Sequence, residues 1–142
     1  MSHLVLIACA AKKASSKVKA RDLYQSALFQ KSLAYADLLR PDTIYILSAK
    51  HGLVPAETLI DPYDESLNAK SAVEIREWAD AVLRDLARVA DLQKDRFTIL
   101  AGDKYRRYLM PALPNAEVPL EGLGIGRQLQ RLDQLSNQLR QS

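Results

Sequence analysis

Two polar stretches in the first half of the chain carry side chains that transfer protons and bind anions. Ser48–Gly52 places a hydroxyl, an ammonium, an imidazole and a glycine in consecutive positions, and Asp61–Asp64 sets two carboxylates around a proline and a tyrosine. An imidazole exchanges protons near neutral pH, and a carboxylate activates water or stabilises a cationic sugar transition state. We therefore predict His51 and Asp61 as catalytic residues. The alternative is structural: His51 tethers its loop, and the carboxylates cap a proline turn.

A small, cationic loop follows the first apolar run of the chain. Cys9 ends that run, and Lys12 and Lys13 follow within four residues. A single cysteine at a strand end is either a small buried hydrophobe or a nucleophile activated by neighbouring cations, and a lysine holds a phosphate as a point charge. The loop is therefore predicted to bind substrate, with the packing role of Cys9 left open.

A third polar stretch lies near the C-terminus, where Gly122, Gly124 and Gly126 precede an amphipathic segment. Backbone amides at a glycine-rich helix N-terminus bind anions. A dinucleotide fingerprint requires G-x-G-x-x-G directly after the first strand, so these glycines do not indicate a dehydrogenase. We predict a phosphate-binding turn here.

Taken together, these stretches define a predicted substrate site. Tyr24 and Tyr63 are the candidates to stack on a nucleobase. The predicted substrate-binding residues are Cys9, Lys12, Lys13, Tyr24, Ser48, Lys50, Gly52, Tyr63, Asp64, Gly102, Gly122, Gly124 and Gly126.

Several kinds of chemistry are disfavoured by motif and composition. Ser48 lacks the G-x-S-x-G setting of a hydrolase nucleophile, and no phosphate-binding Walker loop is present. One cysteine and two histidines fall short of the usual four zinc ligands. Carboxylates near Asp61 have no spacing specific for Mg²⁺. We predict no metal and no cofactor.

The composition predicts one soluble domain covering residues 1–142. The chain has 142 residues, 48% hydrophobic and 26% charged, with a net charge of +3, which is typical of a globular protein of this size. The apolar run His3–Cys9 is far shorter than the ~20 residues of a membrane span. A single cysteine fits a reducing compartment, so we expect a cytoplasmic protein without membrane contact.

Alternating strand and helix patterns predict an α/β fold. Strands are expected at Leu4–Cys9, Thr43–Ala49, Phe97–Ala101 and Ala116–Leu120, and helices at Leu23–Leu39, Ala72–Leu92, Lys104–Met110 and Arg127–Leu139. His51–Asn68 is expected to be a loop. The order indicates a three-layer sandwich, with a mostly parallel central sheet of about four strands and helices on both faces. Loops after Cys9, Ser48 and Ala101 then share one sheet edge.

The chain resembles small bacterial and phage domains of unknown function that are labelled YaaA-like. The matching features are Cys9 with Lys12 and Lys13, Leu23–Phe29, Leu47–Leu53, Pro62–Tyr63, Leu100–Gly102 with Tyr105, and Pro119–Gly126. The resemblance implies an α/β domain and a cytoplasmic role in nucleic-acid metabolism. A more distant likeness is to the uracil-DNA-glycosylase-like fold, although those enzymes carry a catalytic histidine after a late strand, whereas His51 follows the second.

These features lead to one functional hypothesis and one rival. We expect a hydrolase that acts at an N-glycosidic bond of a nucleoside, nucleotide or DNA base, in the manner of a DNA glycosylase. The rival is a non-catalytic nucleic-acid-binding or stress-response protein that uses a basic loop against phosphates. The loop cations of that rival are Lys12, Lys13, Lys17, Lys19 and Arg21.

Overall fold

A computed structural model describes residues 1–141 of the protein. The elements are, in order, β1 (His3–Ala8), β2 (Val18–Lys19), α1 (Ala20–Leu23), α2 (Ala27–Leu39), β3 (Thr43–Ser48), β4 (Gly52–Pro55), β5 (Leu59–Ile60), a 3₁₀ turn (Leu67–Ala69), α3 (Ala72–Ala87), β6 (Arg96–Leu100), α4 (Asp103–Arg106), a second 3₁₀ turn (Met110–Ala112), β7 (Ala116–Glu117) and α5 (Ile125–Arg140). No helix within this described range is long and apolar enough to cross a membrane.

The main sheet has five strands in the order β4-β3-β1-β6-β7. β1 runs parallel to both β3 and β6, β7 is parallel to β6, and β4 is antiparallel to β3. The predicted α/β class and mostly parallel sheet are confirmed. The strand number differs from the expected four because Gly52–Pro55, predicted as loop, turns back and pairs with β3. A separate two-stranded ladder joins β2 to β5.

The central strand β1 is buried on both sides, as its continuous apolar run predicts. Successive side chains of a strand point to opposite faces. Val5 and Ile7 pack in one hydrophobic cluster with residues of α2 and α5. Leu4 and Leu6 pack in another with residues of α3. Helices α2 and α3 therefore lie against opposite faces of the sheet.

The first long helix begins later than predicted. The expected helix Leu23–Leu39 is divided into α1 and α2, because Tyr24 is extended and forms a bridge with Lys13. Ser26, rather than Asp22, caps α2 by accepting a hydrogen bond from the Phe29 amide at 3.1 Å. Arg40 ends α2 in a left-handed conformation, with φ of 51°.

The other helix ends follow their capping chemistry. Ser71 and Glu74 form a reciprocal capping box at the start of α3. The helix ends at Ala87 rather than Leu92. The final helix begins at Ile125 instead of Arg127, so Gly126 lies inside it.

The connections between strands run to opposite sides of β1. The chain leaves β1 through α2 to reach β3 on one side, and returns through α3 to reach β6 on the other side. Connections that leave in opposite directions open a crevice at the carboxyl ends of adjacent parallel strands, where ligands of open α/β sheets bind. In this protein the crevice lies between the ends of β1 and β6.

Candidate functional site

A cleft of about 570 Å³ occupies the predicted crevice. Ala8, Cys9 and Ala10 contribute the end of β1, and Leu100, Ala101 and Gly102 contribute the end of β6. Its apolar wall consists of Ile7, Leu28, Phe29, Leu100, Leu120 and Leu123. Its polar lining consists of Ser26, Ser32, Asn68, Asp103, Lys104, Tyr105, Arg106, Arg107 and Gln128. The cleft therefore has an apolar interior and polar groups from several elements.

Helices α4 and α5 bring the polar groups to the cleft. Gly102 directly precedes α4, and Asp103 and Lys104 are the first residues of that helix. On the opposite side, Gly124 caps α5 without a side-chain hydrogen bond. The Gln128 side chain donates to the Leu123 carbonyl at 2.7 Å, which fixes the approach to this helix. Both helices thus begin at the cleft.

Cys9 and Tyr105 are in direct contact at the cleft. The Cys9 Sγ and Tyr105 Oη lie 3.3 Å apart. The Leu67 amide also donates to the Tyr105 Oη at 3.4 Å, and the Tyr105 ring packs edge-on against Trp78, with centroids 5.6 Å apart. Burial raises the pKa of Tyr105, and a negative charge on Cys9 would raise it further. Tyr105 is therefore a neutral phenol at physiological pH.

The rim of the cleft is charged. Arg107 forms an ion pair with Asp103, one turn earlier in the chain. The Arg106 Nη1 donates to the Ala101 carbonyl at 2.8 Å, and its Nη2 lies 3.8 Å from a carboxylate oxygen of Glu121. Among the cleft residues in the described range, Asp103 is the only carboxylate and Lys104 has no ion pair.

A second group of polar residues lies beside the end of β3, and we call Tyr24, Ser48 and Tyr63 the hydroxyl cluster. The Tyr24 Oη and Tyr63 Oη are 2.6 Å apart, and the Ser48 Oγ donates to the Tyr63 Oη at 2.9 Å. The Ser48 Oγ also accepts from the His51 amide at 3.0 Å. Ser48 is fully buried and Tyr24 is 1% exposed. The three hydroxyls thus form one continuous hydrogen-bonded chain.

His51 and Lys13 lie over the outer side of this cluster. The His51 ring packs edge-on against Tyr63, with centroids 5.4 Å apart. The Lys13 Nζ is 4.5 Å from the Tyr63 ring centroid and 5.9 Å from that of Tyr24. A cation over an aromatic face is attracted by the ring quadrupole. Both side chains therefore have partners within the protein, while the His51 residue remains exposed.

The hydroxyl cluster is neutral over the physiological range. Burial raises the pKa of Tyr24 to about 12. Burial also raises the pKa of Tyr63, with an added contribution from any negative charge on Cys9. Phenols that stay protonated act as hydrogen-bond donors and acceptors rather than as bases.

Local backbone pairing explains why these loops meet. The Gln25 amide donates to the Lys12 carbonyl at 2.8 Å, and the Ala14 amide to the Leu23 carbonyl at 2.7 Å. These bonds fold the loop after β1 onto Tyr24. Gly52, with φ of +71°, makes the turn that begins β4.

Cys9 lies at the boundary between the cleft and the hydroxyl cluster. Its amide donates to the Leu47 carbonyl at 3.0 Å, which extends the β1–β3 pairing by one residue. Its side chain packs against the hydrophobic cluster that contains Val5 and Ile7, and against a small third cluster formed by Ala49, Leu67 and Ile75. A charge at Cys9 would act on Tyr24, Tyr63 and Tyr105 alike.

The predicted site residues divide into three groups in the structure. Cys9, Gly102 and Gly122 line the cleft. Lys13, Tyr24, Ser48, His51 and Tyr63 meet in or against the hydroxyl cluster. The remaining predicted residues, which line no part of the cleft, are Lys12, Lys50, Gly52, Asp61, Asp64, Gly124 and Gly126. His51, Asp61 and Gly124 therefore do not join Cys9 in this cavity, and their predicted roles stay predictions.

Sequence reasoning missed several polar residues of the cleft. Asp103, Lys104 and Arg107 follow directly after Gly102, at an edge that the strand pattern had already identified. Arg107 lies about two helical turns beyond Leu100, where β6 ends, so only a prediction extended that far would have included all three residues.

The comparisons with known proteins identify a family but no activity. The model of a family of unknown function, DUF6884, matches residues 4–134. The chain therefore belongs to this family. No curated protein and no solved structure matches the chain.

Proposed function

We propose that this protein hydrolyses the N-glycosidic bond of a nucleoside, a nucleotide or a base in DNA, and that the cleft between β1 and β6 binds the substrate. The observation that carries the proposal is an apolar-walled cavity with a single carboxylate at its rim, located at the switch point of a parallel sheet. Ligand pockets of α/β proteins concentrate at this position.

The size and lining of the cleft fit a nucleoside. Its volume of about 570 Å³ lies in the usual range for small-molecule sites. Phe29, Leu120 and Leu123 offer an apolar surface to a flat base. The hydroxyl groups of a sugar find polar partners in Ser26, Asn68 and Gln128. A base within duplex DNA would have to leave the helix to enter.

The reaction assigned to this site is addition of water at the anomeric carbon. The water oxygen bonds to C1′ while the bond from C1′ to the base nitrogen breaks. One water proton passes to the Asp103 carboxylate, and the departing base takes up a proton from solvent. The carboxylate also stabilises the positive charge that develops on the sugar. Tyr105, protonated at physiological pH, offers a hydrogen bond to the sugar or base.

We keep a site formed by His51 and Asp61 as a second candidate for the same reaction. Both residues are exposed, and neither lines the cleft. We favour Asp103 over Asp61 because Asp103 lines the cleft and Asp61 does not. Substitutions at the two positions separate these assignments.

The proposal also includes the layer architecture, the family resemblance and the cellular location. We take the domain to be a three-layer sandwich, with α2 and α5 over one sheet face and α3 over the other. The YaaA-like resemblance and the likeness to the uracil-DNA-glycosylase-like fold support a substrate that carries a base. A cytoplasmic location fits a chain with one cysteine.

The rival function, phosphate binding by the basic loop without turnover, receives less support. Lys19 pairs with Glu57 at 3.3 Å. Arg21 pairs with Asp37 at 2.6 Å and with Glu57 at 3.2 Å. Lys13 lies over aromatic rings. Three of the five loop cations are thus engaged within the protein, which weakens an electrostatic grip on phosphates.

The test is base release from a defined panel. Nucleosides, nucleotides and base-containing DNA strands are incubated with the protein, and free bases are separated by liquid chromatography. Asn68→Trp places an indole at the mouth of the cleft and should abolish release, while the matched Lys17→Trp in the exposed loop should leave it unchanged. Absence of base release across the panel, or equal rates in the two variants, would contradict the proposal.

A further inference from the structure

A second, smaller cavity of about 180 Å³ adjoins the cleft on the far side of α4. Its lining consists of Lys70, Ala72, Ile75, Lys104, Arg107 and Tyr108. Three of these six residues are cations and none is a carboxylate. The main cleft also has three cations, Lys104, Arg106 and Arg107, but its lining includes the carboxylate of Asp103.

The two cavities share a boundary. Lys104 and Arg107 line both of them. These residues are three positions apart around α4, so their side chains leave the same side of the helix. A ligand held in the cleft can therefore place an attached group against the same two cations from the smaller cavity.

Carboxylates neutralise only some of the positive charges that line the small cavity. Arg107 pairs with Asp103, and the Lys70 Nζ lies 3.6 Å from a carboxylate oxygen of Glu65. Lys104 has no ion pair among residues 1–141. Just outside the lining, the Arg76 guanidinium lies 4.9 Å from the Tyr108 ring centroid and adds a further positive charge. Lys70 also interacts with the carboxylate of Glu74. The positive charge that remains to attract an anion is therefore mainly that of Lys104, with Arg76 nearby.

We infer that the small cavity is a phosphate subsite for the substrate of the cleft. This inference rests on the proposed function, because it takes a base and its sugar to occupy the cleft. The phosphate then contacts Lys70 and Lys104, while Ile75 and Tyr108 form the apolar floor. The phosphate belongs either to a free nucleotide or to the next unit of a nucleic-acid strand.

The inference changes the expected orientation of the substrate in the cleft. The sequence had predicted phosphate contacts from Lys13 and from the turn Gly122–Gly126. In the structure Lys13 lies over the hydroxyl cluster, whereas Lys104 faces both cavities. The phosphate end of the substrate therefore points toward α3 and away from the loop after β1.

The experiment compares each nucleoside with its 5′-monophosphate and 3′-monophosphate by isothermal titration calorimetry on the full chain. Lys104→Gln and Lys70→Gln should each reduce the preference for the phosphorylated ligand about tenfold, because one charge-assisted contact is lost. Lys70 lies outside the cleft lining, so Lys70→Gln should also leave the nucleoside affinity unchanged. Lys94→Gln is the matched control, since Lys94 is exposed just before β6, at the opposite edge of the sheet. Circular dichroism confirms folding of each variant.

A short single strand of DNA or RNA, titrated in parallel, identifies the source of the phosphate. A larger loss for the strand than for the monophosphates assigns the subsite to a neighbouring nucleotide, and the reverse assigns it to a free nucleotide. Either result supports a phosphate subsite. The inference is overturned if the wild-type protein shows no preference for phosphate, or if both variants match Lys94→Gln. Base release, measured separately, tests the reaction, so its absence alongside a variant-sensitive phosphate preference would reject hydrolysis and retain the subsite.

Discussion

The cleft and the hydroxyl cluster lie at the same edge of the sheet but present their polar groups in opposite ways. In the hydroxyl cluster, Tyr24, Ser48 and Tyr63 are hydrogen-bonded to one another inside the protein. In the cleft, Asp103 and Lys104 are exposed at the rim of an open cavity, where Asp103 pairs with the exposed Arg107 and Lys104 has no ion pair within residues 1–141. Buried polar groups that are fully paired specify a fold, whereas exposed polar groups around a cavity can bind ligand.

The difference shows that residue type alone does not tell whether a polar group is paired inside the protein or borders a cavity. The sequence predicted a site at Ser48 and His51 because a hydroxyl and an imidazole lie three positions apart. In the structure the His51 backbone amide donates to Ser48, and Trp78 donates to the Ser48 carbonyl at 2.8 Å. These contacts close the turn after β3. The sequence pattern did not indicate Asp103 as a site residue, although Asp103 lies beside the cavity.

The largest expected effect concerns the two candidate carboxylates. Asp103→Asn removes the group that accepts the water proton and should lower base release about a hundredfold or more. Asp61→Asn should leave the rate unchanged, because Asp61 lies outside the cleft lining. Steady-state rates of base release for the two variants, which make the same chemical change, provide the measurement. The reverse pattern, in which only Asp61→Asn loses base release, would assign the chemistry to the loop that carries His51 and Asp61.

Loss of a hydroxyl from the cluster should reduce stability rather than chemistry. Ser48→Ala deprives the His51 amide of its acceptor and the Tyr63 hydroxyl of a donor inside the protein. An unsatisfied buried group costs about 1–3 kcal/mol of unfolding free energy. Urea unfolding measures this loss, and Ser16→Ala in the exposed loop after β1 is the control. A fall in base release per folded molecule, without a fall in stability, would assign Ser48 to the chemistry.

Two glycine substitutions should change stability in opposite directions. Gly52 has φ of +71°, and a Cβ there would meet only Val82 at 3.7 Å, so Gly52→Ala introduces backbone strain without a clash. The cost should be about 1–2 kcal/mol. Gly126 lies in the first turn of α5 with open space around it, so Gly126→Ala should stabilise the protein by up to about 1 kcal/mol. Thermal unfolding of both variants checks this sign difference, and a neutral Gly52→Ala would show that the turn after β3 relaxes freely.

A further expected effect appears only at high pH. Burial raises the pKa of Tyr24 to about 12 in the folded protein, against about 10 in the unfolded chain. The folded state therefore binds this proton more tightly, and the resulting stability is complete below pH ~10 and lost as the pH rises through ~12. Urea unfolding across this range should show the fall, and Tyr24→Phe should reduce its slope. An unchanged slope in that variant would show that Tyr24 ionises normally.

The sequence predicted the architecture more successfully than the site. The apolar run at β1 and the capping pair Ser71 and Glu74 depend on local patterns, so the parallel strands and α3 could be predicted. The strand β4 was missed because its pairing with β3 depends on a turn at Gly52, within a proline-containing stretch.

The site depends on longer-range arrangement. Cys9 and Tyr105 are 96 residues apart in sequence, and no periodic pattern indicates their contact. Whether Ser48 faces a cavity or a tyrosine hydroxyl is decided by how the loops after β1 and β3 pack together. Residue type and strand end therefore identify the sheet edge where the cleft and the hydroxyl cluster both lie, and only the packed structure separates the two.

The central claim is that the cleft between β1 and β6 binds the substrate. Amide chemical shifts of the ¹⁵N-labelled protein, recorded during titration with the nucleoside that supports base release or binds most tightly, test it directly. The shifts should concentrate at Ala101, Gly102 and Leu123, which line the cleft, and leave Lys50 and Asp61 unmoved. Shifts concentrated at Lys50 and Asp61, with the cleft amides unchanged, would contradict the claim.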